Sequence, residues 1–134
     1  MDIKKHIQLT PEPLEALINN GESIDFRLDE PAWEGVVVGD LIEFWEDFSG
    51  WDMEPQLQSR KVIVKVVEIF RAASFSELID TLPDSFSQYA TKEDTITSLR
   101  QWWTVEREQQ MGVLGWRVEV ILMNEKPYTN GYKL

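Results

Sequence analysis

Hydrophobic positions along the chain switch between a helical and an alternating period, and the switches mark its elements. Leu14, Leu17 and Ile18 form an i, i+3, i+4 stripe, preceded by Thr10-Pro11-Glu12-Pro13 and stopped by Asn20-Gly21. Thr10 suits an N-cap, a proline in the first turn loses no needed N–H, and Glu12 faces the positive end of the helix dipole. Ile24, Phe26 and Leu28 then alternate with Ser23, Asp25 and Arg27, which predicts a half-buried strand with one polar face. Val36-Val37-Val38 and Leu41-Ile42-Glu43-Phe44-Trp45 read as two short β segments around a bend at Gly39-Asp40. Glu46 to Ser59 is polar and aromatic, and reads as an exposed loop or hairpin tip.

Lys61 to Phe70 is β-branched and apolar on much of both faces, the strongest strand in the chain. Ser74-Phe75-Ser76-Glu77 has capping-box spacing and leads into Leu78, Ile79 and Leu82, with Pro83 as the expected stop. Thr91 opens a further helix through Ile96, Leu99, Trp102 and Trp103, and Thr104 to Met111 adds another turn or two. After Gly112, residues Val113 to Leu122 form a long final strand, and Met123 to Leu134 reads as a loose polar tail. Strands and helices are segregated rather than alternating as βαβ units. The expected fold class is therefore α+β: a small, mostly antiparallel β-barrel with peripheral helices covering its openings and edges.

The 134 residues (15.7 kDa) fit one domain spanning residues 1–134, with a core over 5–122. With 43% hydrophobic and 28% charged residues, the composition is that of an ordinary globule. Zero cysteines exclude disulfides, thiolate catalysis and cysteine-held metal clusters, and a lone histidine, His6, excludes multi-histidine metal sites. Neither a metal nor a cofactor is expected. The longest apolar runs are too short to cross a bilayer, and no apolar stretch follows the N-terminal lysines, so a cytoplasmic protein is the expectation.

A net charge of −11 works against long polyanions. Leu28 to Ser59 contains no Lys or Arg but nine acidic residues, from Asp29 to Glu54. Neither duplex DNA nor an anionic membrane is an expected partner. A small ligand, or a nucleic acid gripped at one focused place, remains compatible with that balance.

No Gly-rich phosphate loop, Gly-x-Ser-x-Gly elbow or histidine metal pair is present, and a Ser-His-Asp triad would need His6. What remains is Gly21-Glu22-Ser23-Ile24-Asp25-Phe26-Arg27. Strand alternation puts Asp25 and Arg27 on one face, about 7 Å apart along the strand. A carboxylate and a guanidinium displayed at a barrel mouth can hold a planar polar ligand such as a nucleobase edge. The same spacing also serves a structural ion pair, or an arginine that ties a helix end to the sheet. Among the tryptophans, Trp102, Trp103 and Trp116 fall in periodic segments and read as core. Trp33, Trp45 and Trp51 lie in or beside loops, where a ring can stack on a base or pack over the barrel edge.

An ordered run of landmarks resembles the ASCH domain family. It comprises Thr10-Pro11-Glu12-Pro13, Asn20-Gly21 running into Ser23 to Leu28, Val36 to Phe44, Val64 to Val67, Ser74 to Leu78, Thr81-Leu82-Pro83 and Gly112 to Gly115. The resemblance covers residues 5–122 and implies a PUA-like barrel whose cleft binds RNA, a nucleoside or a nucleotide. It also implies a rival reading, a small hydrolase, because one branch of the family deacetylates N4-acetylcytidine with a Lys, a Thr and a Glu, and another has ribonuclease activity. Anchored on Arg27, the family's acid falls at Asp25, its Thr at Ser23 and its Lys at Glu22, while the deacetylase's catalytic Thr falls at Asp25. Two catalytic positions thus differ, and a glutamate cannot reproduce an ammonium beside a developing oxyanion. Glu93 and Glu106 are the candidates for the third position. Glu22, Ser23, Asp25 and Arg27 are accordingly the expected binding residues.

Overall fold

The computed structural model describes residues 1–82 and 91–124, and the elements follow the chain as β1 (Ile3–Leu9), α1 (Pro11–Asn20), β2 (Glu22–Leu28), a 3-10 turn (Pro31–Trp33), β3 (Leu41–Glu46), β4 (Lys61–Ala72), α2 (Phe75–Thr81), α3 (Lys92–Leu99), α4 (Val105–Met111) and β5 (Val113–Asn124). The expected stop at Pro83 and the tail beyond Asn124 lie outside the described residues.

Capping explains where most helices start. The hydroxyls of Ser74, Thr91 and Thr104 accept from the backbone N–H of Glu77, Asp94 and Arg107 at 3.1, 3.0 and 3.2 Å, each three residues on. Thr10 occupies the same place before α1, yet its side chain makes no capping bond. The reason is chemical: the third helical residue is Pro13, which has no N–H to give. α1 ends as the pattern requires, with Gly21 at φ +74° and its N–H donating to the Leu17 carbonyl at 2.9 Å.

The five strands form one mixed sheet in the order β1-β3-β4-β5-β2. β3–β4, β4–β5 and β5–β2 are antiparallel, whereas β1 runs parallel to β3. The sheet is not closed into a barrel, which corrects the expected architecture: β1 and β2 are the two edges and do not pair. α1 links those edges and packs against β2, β3 and β5, so a helix stands where closure would need a strand contact. Leu14 and Leu17 of α1 are fully buried in a core built with Ile7, Ile42, Phe44, Val62, Val64, Leu114, Trp116 and Val118. A second core joins Leu28 and Val113 to Phe75, Leu78 and Leu99 of the helical layer. There Glu108 is buried, accepting from the Phe75 N–H and from Arg100 Nη2 at 2.6 Å, which ties α4 to the start of α2.

Two local expectations also need correcting. β1 is a strand where none is predicted, because only Ile7 of its seven residues is buried and the hydrophobic period is too sparse to show. Val36 to Val38 is not a strand: Val36 is buried in the first core while Val37 and Val38 are exposed. The bend at Gly39-Asp40 is present. The Val37 N–H donates to Asp40 Oδ2 at 2.9 Å, and the Gly39 N–H reaches the Val66 carbonyl of β4 at 2.7 Å.

Candidate functional site

β2 divides its side chains between two environments. Ser23, Asp25 and Arg27 lie opposite Val118, Trp116 and Leu114 of β5, on the side of the first core. Phe26 and Leu28 face the second core, where Phe26 meets Phe75 edge-on at 6.4 Å. Glu22 shares their parity and sits half exposed, 4.0 Å from Arg117.

Asp25 and Arg27 are joined by a forked pair, Nε to Oδ2 at 2.5 Å and Nη2 to Oδ1 at 3.3 Å. Three aromatic rings surround the guanidinium, Trp33 at 5.0 Å, Trp116 at 5.8 Å and Phe44 at 5.9 Å. Cation–π attraction and the ion pair together fix its plane. Arg27 Nη1 donates no hydrogen bond to the described residues, so the ion pair leaves donors unused.

The pair borders a cleft of about 360 Å³, lined in part by Ser23, Asp25 and Arg27. The volume falls within the range of small-molecule sites. Gln8, Leu9 and Thr10 line it from the β1–α1 junction, with Pro13 and Leu17 from α1. Phe44 forms part of another wall, followed by Asp47, Gly50 and Trp51 of the loop after β3. Ser98, Leu99, Trp102 and Trp103 close it from α3 and the turn beyond.

The loop after β3 is organised by one carboxylate. Asp47 Oδ1 accepts from the N–H of Ser49, Gly50 and Asp52 at 3.2, 2.9 and 3.1 Å. Asp52 adds a bond from Phe48 N–H at 3.0 Å, and Gly50 turns the chain at φ +83°. The result displays Trp51 with 81% of its surface exposed, beside the cleft. Trp102, 49% exposed, lies across from Gly50, where a Cβ would meet its ring at 3.5 Å.

Of the residues expected at the site, Ser23, Asp25 and Arg27 come together on the cleft wall and Glu22 does not. Glu93 and Glu106 are exposed on α3 and α4 and are not among the cleft's lining residues. Trp51 stands beside the cleft as its loop position suggests. Trp45 is buried in β3, and Trp33 packs edge-to-face on Trp116 at 5.8 Å. Trp102 reads from the sequence as core yet lies in the turn after α3, half exposed. Asp47 was missed, although Asp47-Phe48-Ser49-Gly50 has the residue types of an Asx-type turn.

Among the described residues there is no metal-ligand cluster and no helix long and apolar enough to cross a membrane. No protein-family model matches this chain, and no curated protein does. Solved structures resemble it, two of them as follows. The crystal structure of hypothetical protein PH0355 matches with a TM-score of 0.65 and 24% identity, covering 87% of this chain and 98% of that one. The solution NMR structure of protein PF0455 from Pyrococcus furiosus matches with a TM-score of 0.59 and 22% identity, covering 87% and 97%. At these identities the likeness is one of fold, a small α+β architecture that this chain shares with both proteins.

Proposed function

We propose that this chain is an ASCH-like module of the PUA-like superfamily, and that its cleft binds a nucleobase-bearing ligand, either a nucleoside or nucleotide or a short single-stranded RNA segment. The observation that carries the reading is the wall of the cleft. A guanidinium held by Asp25 and three rings, with donors unused, lines a ligand-sized hollow beside the exposed Trp51. A flat, hydrogen-bonding aromatic ligand satisfies both features: Trp51 or Trp102 supplies a stacking face and Arg27 an edge contact. Binding is favoured over hydrolysis because both Asp25 oxygens are taken up by Arg27 and Glu22 faces away from the cleft.

Calorimetric titration with nucleosides, nucleotides and short single-stranded RNA tests this. Trp51→Ala removes an almost fully exposed ring, so thermal stability is expected to stay unchanged while affinity falls by about 1–3 kcal/mol. Arg27→Ala is expected to abolish binding. Equal affinity of both variants and the parent for every ligand would remove the cleft from the account, and Arg27→Ala unfolding while Trp51→Ala binds normally would leave Arg27 a purely structural residue.

A further inference from the structure

Asp47 has a second oxygen that the loop does not use. The residue is 1% exposed and lines the cleft, and every hydrogen bond its carboxylate accepts falls on Oδ1, including one from Ser49 Oγ at 3.4 Å. Oδ2 accepts no hydrogen bond from the described residues, and it is not sealed from solvent, unlike Arg100 Nη1. A nearly buried carboxylate whose second oxygen has no donor from the fold, yet is not sealed off, is placed to accept from a group that enters the cleft it lines.

The charges around it point to the donor. Arg27 is the one cation among the cleft's described lining residues, and Asp25 already neutralises it through two bonds. Asp47 is therefore the uncompensated charge of the hollow, and it is negative. Within a partly desolvated cleft, like charges repel several-fold more strongly than in water. We infer that Asp47 sets the ligand class: the cleft takes an uncharged nucleoside whose base carries an amino group, and Asp47 Oδ2 accepts from that group while excluding phosphate. The inference rests on the nucleobase reading above and narrows it. It also assigns the specificity to a residue outside β2.

The test is calorimetric, with eight probes: adenosine, guanosine, cytidine, uridine and their 5′-monophosphates. At least one amino-bearing nucleoside is expected to bind roughly tenfold or more tightly than both uridine and its own monophosphate. Asp47→Asn then separates roles, because an asparagine keeps the Oδ1 acceptor for the loop amides while replacing Oδ2 by a donor. In that variant the penalty on the monophosphate is expected to fall to about threefold or less and the preference over uridine to vanish. Monophosphates binding as tightly as nucleosides in the parent chain overturns the inference and leaves the nucleobase site standing. So does an Asp47→Asn protein with unchanged ratios. Silence from all eight probes overturns both, unless the short RNA of the preceding test binds, in which case only the inference falls.

Discussion

Two arginines show how differently the same side chain is used. Arg27 lies on the wall of a cleft with a donor to spare, whereas Arg60 is spent on holding the fold. Its Nε and Nη2 bond Glu46 at 3.1 and 2.7 Å, its backbone N–H bonds Glu46 Oε1 at 3.2 Å, and Nη1 reaches Glu15 of α1. The bond to Glu46 is the chief cause of an Arg60 pKa raised above the ordinary arginine value, against an opposing cost of burial. Glu46 is buried, so removing its partner leaves a carboxylate with little to satisfy it. Arg60→Ala is expected to cost about 3 kcal/mol in urea denaturation, and Arg60→Ala combined with Glu46→Gln should recover part of that loss. A cost near zero would show that water serves Glu46 as well as Arg60 does. At this scale the sequence spoke clearly where geometry is rigid. The two-residue period of a strand brings Asp25 and Arg27 to one face in any structure that makes β2. It misleads on Trp102, because a stripe running Ile96, Leu99, Trp102 and Trp103 reads as a continuing helix, while α3 in fact ends at Leu99 and Trp102 lies half exposed on the cleft.

Among the elements, α1 bears most directly on the site. It connects the two edge strands in the chain and packs on β2, β3 and β5, and Leu17 belongs at once to the core and to the cleft. Leu14 is buried without touching the cleft, so Leu14→Ala reads the packing of α1 alone and is expected to cost about 2–5 kcal/mol. Gly21 offers a cleaner contrast. A Cβ there meets nothing within 4 Å, so Gly21→Ala pays only for φ +74° and should cost about 1 kcal/mol. Equal losses in the two variants, followed by thermal or chemical unfolding, would mean that α1 contributes capping geometry rather than burial. The boundaries of α1, β2 and β4 were legible because caps, a left-handed glycine and long apolar periods are local signals. β1 was not, since an edge strand pairing through its backbone with one neighbour needs little apolar patterning. Val36 to Val38 misled for the opposite reason: three β-branched residues lie in a turn that buries one of them and docks on β4 through Gly39 and Asp40.

For the molecule as a whole, the α+β class follows from the segregation of strands and helices, but closure does not. Whether five strands meet edge to edge depends on curvature and on what fills the gap, and neither is written in hydrophobic period. The open sheet shapes the cleft, which sits where α1, the loop after β3 and the turn after α3 converge. The acidic balance of the chain continues into that hollow through Asp47, which works against a polyanion there. The indole N–H signals of the six tryptophans in a nitrogen–proton NMR spectrum test this most directly, recorded while cytidine, guanosine and a short single-stranded RNA are added in turn. The account predicts that at least one of the three moves the signals of Trp51, Trp102 and Trp103 in a saturable way while that of Trp45, buried in β3, stays in place. Saturable shifts confined to other tryptophans, or no shift with any of the three, would contradict it.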